Sequence, residues 1–347
     1  MALTGSASRT EESPAYVPGE VIVKFKSGAR QQDRASTREE LDAVSRHTFR
    51  SGAEHWILGE DVTVEEAIDV LAENPDVLYA EPNTFWEFTT TDPNDDHLFS
   101  QQWALQKIEA PDAWDLTTGR SEVVIAIMDT GIEGGYLELA PNMWSNDVEV
   151  NGDPNVDDDG NGYVDDVAGW DVADDDNDPR PTTWSHGTSV AGIIGAHAAH
   201  TGGFGVAGIN WSVRMMNLRL SSPPPPTTTM LMETVDYAVD NGAHIINYSG
   251  GRACPQQGCS QALEDTIAHA AEHDVLFVTA AGNNGADIDG AVHPGFEPAS
   301  YDLDNIIAVA MSDPNDMAVY AEPGNRTNYG AVSVDLAAPG IDVLTVG

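Results

Sequence analysis

The 347-residue chain carries 57 acidic side chains against 15 basic ones, a formal net charge of −42. Such a surface repels phosphate backbones and anionic lipid, which argues against nucleic-acid and membrane-surface partners. No apolar run approaches the roughly 18 residues that a membrane helix needs. At this length we expect one large domain and a second, smaller one.

The amino-terminal part has the pattern of a small α+β domain. Residues 1–20 contain no basic segment followed by an apolar one, so no signal peptide is recognisable. Apolar spacing predicts a strand over 16–25, a helix over 64–74 and a second strand over 77–80. The stretch 89–96 is polar and rich in turn formers, which predicts an exposed, cleavable linker.

From Val123 onward, apolar runs typical of strands alternate with helical segments. Continuous hydrophobicity in the runs indicates strands buried on both faces of a parallel sheet. The predicted fold class is therefore α/β, a parallel sheet flanked by helices. A patch over 221–229 with four consecutive prolines predicts a surface loop. The predicted strands cover 123–128, 213–219, 244–248, 275–280, 305–310 and 331–336, and the helices lie near 187–198, 230–241 and 261–273.

Reactive side chains stand where these elements begin and end. Asp129 follows the run 123–128, His186 opens a helix rich in small residues, and Asn283 follows the run 275–280. A neutral imidazole can take a hydroxyl proton and return it, and a carboxylate can fix its tautomer. An asparagine amide can donate to an oxyanion. Each residue alone also fits an ordinary turn or helix start, and a single Asp-Thr-Gly in an α/β pattern argues against an aspartic protease.

The order of these motifs along one chain resembles the subtilisin family of serine endopeptidases. Residues 16–83, ending in Tyr-Ala-Glu-Pro-Asn, are similar to that family's inhibitory propeptide. The resemblance implies a subtilisin-like fold, with a propeptide domain plus linker at 14–90 and a peptidase domain at 91–347. The motifs are Asp129-Thr130-Gly131, His186-Gly187-Thr188 and Ala280-Ala281-Gly282-Asn283.

By that resemblance, Asp129 would orient the base, His186 would be the general base and acid, and Asn283 would line the oxyanion hole. One strand would pair with an extended peptide substrate, and a second segment would form the facing wall of a pocket. Because both are built from small residues, we expect room for a large apolar substrate side chain. These substrate-binding residues are Ser249, Gly250 and Gly251 on the strand, and Ala280, Ala281 and Gly282 on the wall.

The nucleophilic serine of the family has no match before Gly347. Residues 334–340 resemble what precedes that motif, whereas the Gly-Thr-Ser at 187–189 belongs to the histidine motif. We expect the serine beyond the given end, in a secreted precursor that hydrolyses proteins or peptides and is inhibited by its own propeptide. Two alternatives stay open: a noncatalytic peptide-binding pseudoprotease, and a calcium-binding truncated product.

Residues 157–166 have oxygen-bearing side chains at alternate positions and a glycine at the sharp turn, a pattern typical of a calcium loop. Ala168 stands where an EF-hand has its bidentate glutamate, so another acid must complete the shell. A second family calcium loop, near 201–208, lacks its usual asparagines. The predicted Ca²⁺ ligands are Asp157, Asp159, Asn161, the Tyr163 carbonyl, Asp165 and Asp166.

Cys254 and Cys259 are the only cysteines, and their spacing permits a short disulfide loop. Such a bond favours an oxidising compartment, consistent with secretion. Only three of the 15 basic residues are lysines, Lys24, Lys26 and Lys107, which we associate with saline or calcium-rich surroundings.

Overall fold

The computed structural model describes residues 16–85, 87–88, 99–183, 185–197, 205–220, 224–255, 258–290, 295–317 and 326–346. The chain divides into two compact units, one of residues 1–48 and 54–85 and the other of residues 49–53 and 86–347. The expected linker at 89–96 lies outside the described residues, as does the first half of the second calcium loop considered at 201–208. No helix of the described ranges is long and apolar enough to cross a membrane.

The first unit is a four-stranded sheet with two helices, in agreement with the predicted α+β domain. Its core includes the fully buried Trp56 and Leu71. Thr63 and Glu66 form a capping box at the start of the second helix, whose apolar face packs on the sheet. The order of the strands in the sheet is β2-β3-β1-β4. In chain order, the elements are β1 Tyr16–Phe25, α1 Gln31–Glu40, β2 Val44–Thr48, β3 Ala53–Ile57, α2 Val64–Glu73 and β4 Val77–Thr84.

The second unit contains a seven-stranded sheet and a small three-stranded one. Its strands are β5 Glu87–Phe88, β6 Gly119–Asp129, β7 Gly169–Asp171, β8 Ser212–Arg219, β9 Ile245–Tyr248, β10 Gly250–Ala253, β11 Leu276–Ala280, β12 Phe296–Glu297, β13 Ile306–Ser312 and β14 Leu336–Pro339. Its helices are α3 Trp103–Lys107, α4 Ala110–Trp114, α5 Asp147–Val150, α6 His186–Gly195, α7 Thr228–Asp240 and α8 Gln261–Glu272, with 3₁₀ turns at Phe99–Gln101 and Ala140–Asn142.

The large sheet has the order β14-β13-β11-β9-β6-β8-β7, and all of its neighbouring strands are parallel. Ile127, Ile246 and Phe277 in its central strands are fully buried, because helices cover the sheet. The predicted α/β class is confirmed. Since the strands are parallel, β6, β9 and β11 all end at one edge, and the loops that follow them meet there.

Two predicted boundaries differ from the structure. The last strand covers Leu336–Pro339, whereas residues 331–333 form a turn. Thr228 and Thr229 belong to α7 and are buried, so the loop predicted over 221–229 ends earlier. The reason is that the Thr227 hydroxyl accepts a hydrogen bond from the Met230 N–H and caps the helix.

The buried side chain of Arg219 in β8 forms ion pairs at the β7 edge of the large sheet. Arg219 forms ion pairs with Asp171 and Asp174 and donates to the Thr182 hydroxyl at 3.1 Å. The side chains of Arg219 and Asp171 are only 6% and 2% exposed. Removal of the arginine would therefore leave a buried carboxylate without its cation.

We predict that Arg219→Met lowers the free energy of unfolding by about 3–5 kcal/mol, the usual cost of breaking a buried pair from one side. Guanidinium-induced unfolding measures this loss. Arg180→Met, which removes an exposed pair with Asp178, is the matched control and should leave the midpoint unchanged. Equal midpoints for the two variants would contradict the prediction.

Candidate active site

Asp129 ends β6 at the carboxyl edge of the large sheet. Its side chain is fully buried, and its Oδ1 accepts a hydrogen bond from the Thr130 N–H at 2.7 Å. The Thr130 hydroxyl accepts in turn from the N–H of Gly187 at 3.0 Å, in the first turn of α6. The Asp-Thr turn thus fastens the start of the helix to the end of the strand.

Glycine at position 187 lets the helix approach this turn. A Cβ there would lie 2.5 Å from the Gly131 carbonyl oxygen and 3.1 Å from the Asp129 Cβ, which is closer than packed atoms tolerate. Close packing therefore requires glycine directly after the histidine. It brings His186 within reach of Asp129.

His186 contacts both oxygens of Asp129 through Nδ1, at 2.7 and 2.9 Å. Because a carboxylate can only accept, Nδ1 carries the proton and Nε2 is left with the lone pair. The imidazole is 8% exposed and the carboxylate is fully buried, so water screens the pair little. The contact fixes the tautomer of His186 and brings together the two residues that the sequence predicts to act as a pair.

The loop that carries Asn283 follows β11 and is fastened by Asn328, a fully buried residue. The Asn328 amide donates to the Ala281 carbonyl at 2.8 Å and accepts from the N–H groups of Asn284 and Ala286, each at 3.0 Å. Its own N–H donates to the Gly282 carbonyl at 2.7 Å. Sequence reasoning missed Asn328, since nothing local distinguishes this loop residue from other asparagines.

A cavity of about 230 Å³ brings the predicted catalytic side chains together. Its lining combines the start of α6, the ends of β11 and β13, and the segment after β14. Among the residues that face it are His186, Ser189, Ser249, Ala280, Gly282, Asn283, Thr327 and Thr345. Asp129 does not line the cavity and contacts His186 through Nδ1.

The predicted substrate-binding strand pairs with an extended segment of the chain itself. Gly250 and Gly251 in β10 lie opposite Phe88 and Glu87 in β5, in antiparallel register. Main-chain hydrogen bonding of this kind is how sheet edges bind peptides. On its other side, β10 pairs with β12. Gly250 and Gly251 thus lie in antiparallel pairing with β5, whereas Ser249 precedes β10.

A third residue narrows the gap expected between the two small-residue walls. The ring of Phe296, from β12, lies against the α-carbons of both Gly251 and Gly282. The ring reduces the room that we expected there for a large apolar side chain, because a residue distant in sequence reaches into the gap. Nothing in the two glycine-rich motifs could have indicated it.

The acidic loop places three carboxylates in a cluster. Oxygens of Glu149, Asp159 and Asp166 lie within 4.8 Å of one another. The amide groups of Asn146 and Asn161 each donate to both Asp159 and Asp166, at 2.7–3.1 Å. Glu149 also accepts from the backbone N–H groups of residues 158, 159 and 165. Asn146 and Glu149 were not predicted; Asn146 caps short helix α5, which contains Glu149 and lies upstream of the loop.

Two other predicted ligands, Asp157 and Asp165, point elsewhere in this structure. Asp157 accepts from three backbone N–H groups of the turn at 160–162, and Asp165 accepts from the Asn155 N–H at 2.8 Å. The Tyr163 ring packs against Trp170 and Tyr237. Asp157 and Asp165 therefore shape the turn, whereas Asp159, Asp166 and Asn161 meet at the cluster.

Burial raises the pKa of Asp166 above its ordinary value, against the lowering effect of its hydrogen bonds with Tyr237, Asn161 and Asn146, and Asp159 raises it further. The Tyr237 hydroxyl donates to Asp166 Oδ2 at 2.5 Å. Crowded, partly buried carboxylates of this kind repel one another in the ionised form. A bound cation would relieve that repulsion.

The predicted disulfide is present: Cys254 and Cys259 are bonded at a Cα–Cα distance of 4.7 Å. The bond closes the loop that follows β10. The Cys254 N–H donates to the Gly295 carbonyl at 3.1 Å, which joins this loop to the residue before β12.

Comparisons with known proteins agree with the geometry. The profile of the Subtilase family matches residues 120–346, and that of the Fervidolysin N-terminal prodomain matches residues 2–83. The Thermophilic serine proteinase of Bacillus sp. (strain AK1) is 32% identical over 337 residues, which are 97% of this chain and 73% of the relative. The Halolysin-like extracellular serine protease Nep of Natrialba magadii is 33% identical over 279 residues, covering 80% of this chain and 44% of the relative.

The chain belongs to the subtilase family. Crystalline fervidolysin from Fervidobacterium pennivorans, a keratinolytic enzyme related to subtilisin, has the same fold, with a TM-score of 0.67 at 20% identity over 94% of this chain and 47% of its own. Subtilases are serine endopeptidases, and this one has an amino-terminal prodomain. The predicted family and its propeptide are confirmed.

In this subtilase we predict that Asn328→Ala lowers kcat by about 10- to 100-fold with little change in KM, because the loop of Asn283 loses its three amide contacts. Peptide p-nitroanilide hydrolysis, with protein expressed from the natural reading frame, measures both constants. The exposed Asn315→Ala is the control. A variant that loses thermal stability but keeps kcat would show that Asn328 is only structural.

Proposed function

We propose that this subtilase hydrolyses peptide bonds with Asp129, His186 and Asn283 in the roles of orienting acid, general base and oxyanion donor. The observation that carries the proposal is the contact of His186 Nδ1 with both oxygens of Asp129 beside the cavity. Nε2 would take the proton of a serine hydroxyl as its oxygen attacks the substrate carbonyl. The same proton would then pass to the leaving amine, and Asn283 would donate to the developing oxyanion.

The serine itself stays a prediction, expected after residues 334–340. Ser189 faces the cavity from α6, but it lies one turn into the helix that carries the base. Its carbonyl accepts from the Thr345 hydroxyl at 2.6 Å, which ties the segment after β14 to this helix. We assign the attack to neither Ser189 nor Ser249.

Protein or peptide substrates would bind as an added strand on β10, where Glu87 and Phe88 now pair. This pairing supports two further proposals. In the precursor, the segment after the prodomain occupies the cleft and blocks it as an intramolecular inhibitor. If the chemistry were absent, the same strand would still bind peptides, as the pseudoprotease alternative requires.

We predict that Asp129→Asn and His186→Ala each lower kcat/KM for a peptide substrate by about 10⁴-fold or more, the loss measured for such triads, subtilisin among them. Either change destroys the base of fixed tautomer. The assay follows p-nitroaniline release by protein expressed from the natural reading frame.

The matched controls are Asp302→Asn and His273→Ala, both exposed, which should retain full activity. Equal activity of the His186 variant and its control would refute the assigned roles. A parent protein that binds peptides but hydrolyses none would establish the pseudoprotease alternative.

We also propose a calcium ion at the cluster of Glu149, Asp159 and Asp166. Ca²⁺ prefers carboxylate and amide oxygens, and Asn146 and Asn161 could add theirs once their amides turn. The crowding of two buried carboxylates, Glu149 and Asp166, against the exposed Asp159 supports this site. Asp157, Asp165 and the Tyr163 carbonyl, the other ligands expected from the sequence, would join only if the turn rearranged.

We predict that saturating Ca²⁺ raises the melting temperature by about 5 °C or more and that a chelator reverses the gain, because an ion bound only to the folded state stabilises it. Glu149→Gln should remove most of the effect, and the exposed Glu272→Gln should not. Sodium chloride at equal ionic strength separates binding from screening of the net charge. A Ca²⁺ effect equal in all three proteins would exclude this site.

Secretion is the remaining proposal. A related protease is extracellular by name, and the disulfide between Cys254 and Cys259 suits an oxidising compartment. The charge of −42 fits saline surroundings, where screening limits self-repulsion.

A further inference from the structure

The ring of Phe296 occupies the space between the two walls of the cleft. A Cβ added to Gly251 would lie 2.3 Å from Phe296 Cε1, and one added to Gly282 would lie 2.8 Å from the same atom and 2.6 Å from Cζ. One edge of the ring therefore touches the α-carbons of both walls. Phe296 is 5% exposed, so its side chain belongs to the packed interior.

The backbone around the ring is held on several sides. Phe296 pairs with Ala253 across β10 and β12, and its N–H donates to the Ser300 hydroxyl at 3.0 Å. The next residue, Glu297, is fully buried and accepts from the Ser260 N–H at 2.5 Å and the Tyr301 hydroxyl at 2.6 Å. Hydrogen bonds of residues 296 and 297 thus hold the backbone that carries the ring; we call these two residues the support.

Arg252 strengthens this support from the substrate-binding strand. It forms an ion pair with Glu297, its antiparallel partner in register. The disulfide loop adds a further tie through the Cys254 N–H and the Gly295 carbonyl, at 3.1 Å. Movement of Phe296 out of the gap would disturb buried charged and polar contacts, which are costly to break.

We propose that Phe296 determines specificity by restricting the substrate residue whose carbonyl is attacked to small side chains, such as alanine, serine or glycine. The inference rests on the proposed peptide-bond hydrolysis. A peptide on β10 directs alternate side chains toward the sheet, and one that enters between Gly251 and Gly282 meets the ring. Because packed interiors do not absorb added volume, a large side chain would have to displace it.

The test compares two p-nitroanilides, succinyl-Ala-Ala-Pro-Ala and succinyl-Ala-Ala-Pro-Phe, with protein expressed from the natural reading frame. We expect the parent to prefer alanine by about 10-fold or more in kcat/KM, the scale of pocket discrimination between apolar side chains. Phe296→Ala should shift the ratio toward phenylalanine by at least about 10-fold. Phe296→Leu should shift it less and is the variant to use if the alanine variant folds poorly.

Phe277→Leu is the control, since Phe277 is buried in β11 and its replacement should leave the ratio unchanged. A parent that prefers phenylalanine, or Phe296 variants with the parental ratio, would overturn the inference. If the parent hydrolyses neither peptide, the proposed function fails. In that case calorimetric binding of the two peptides as free acids decides the inference: tighter binding of the alanine peptide supports it, and equal binding or tighter binding of the phenylalanine peptide overturns it.

Discussion

The contact between the Asp129 carboxylate and His186 Nδ1 organises the second unit of this subtilase. It joins the end of a central strand to the first residue of a helix. Burial of the two polar groups is tolerated because the imidazole N–H donates to the carboxylate. Thr130 and Gly187 make the approach possible, one by a hydrogen bond and the other by the absence of a side chain. His186 also lines the cavity, together with Ser249 and Asn283.

The parallel sheet explains why such distant segments meet. β6, β9 and β11 are adjacent and run in the same direction, so the residues that follow them share one edge. The meeting of these residues therefore depends on strand order, and β10, which follows β9, pairs with β5 on one side and with β12 on the other. The loop after β11 has no regular secondary structure, and hydrogen bonds from Asn328 hold its conformation.

Charge is the second constraint on the molecule. With 57 acidic residues against 15 basic ones, few carboxylates can have a cationic side-chain partner. Asp171 has Arg219 and Glu297 has Arg252. Glu149, Asp159 and Asp166 instead share asparagine amides and backbone N–H groups, which leaves their negative charge uncompensated in the described contacts and makes the cluster attractive for a divalent cation.

The sequence by itself determined the α/β class, the prodomain pattern, the disulfide and the motifs of Asp129, His186 and Asn283, because these depend on local periodicity and on short segments. Only the tertiary structure decided which acids of the loop meet. Glu149 joins the cluster from helix α5, whereas Asp157 and Asp165 accept hydrogen bonds from backbone N–H groups. It likewise revealed Asn328 and Phe296, whose contacts span dozens of residues. The small residues at 249–251 and 280–282 specify close approach, but what fills the space between them is set by packing from β12.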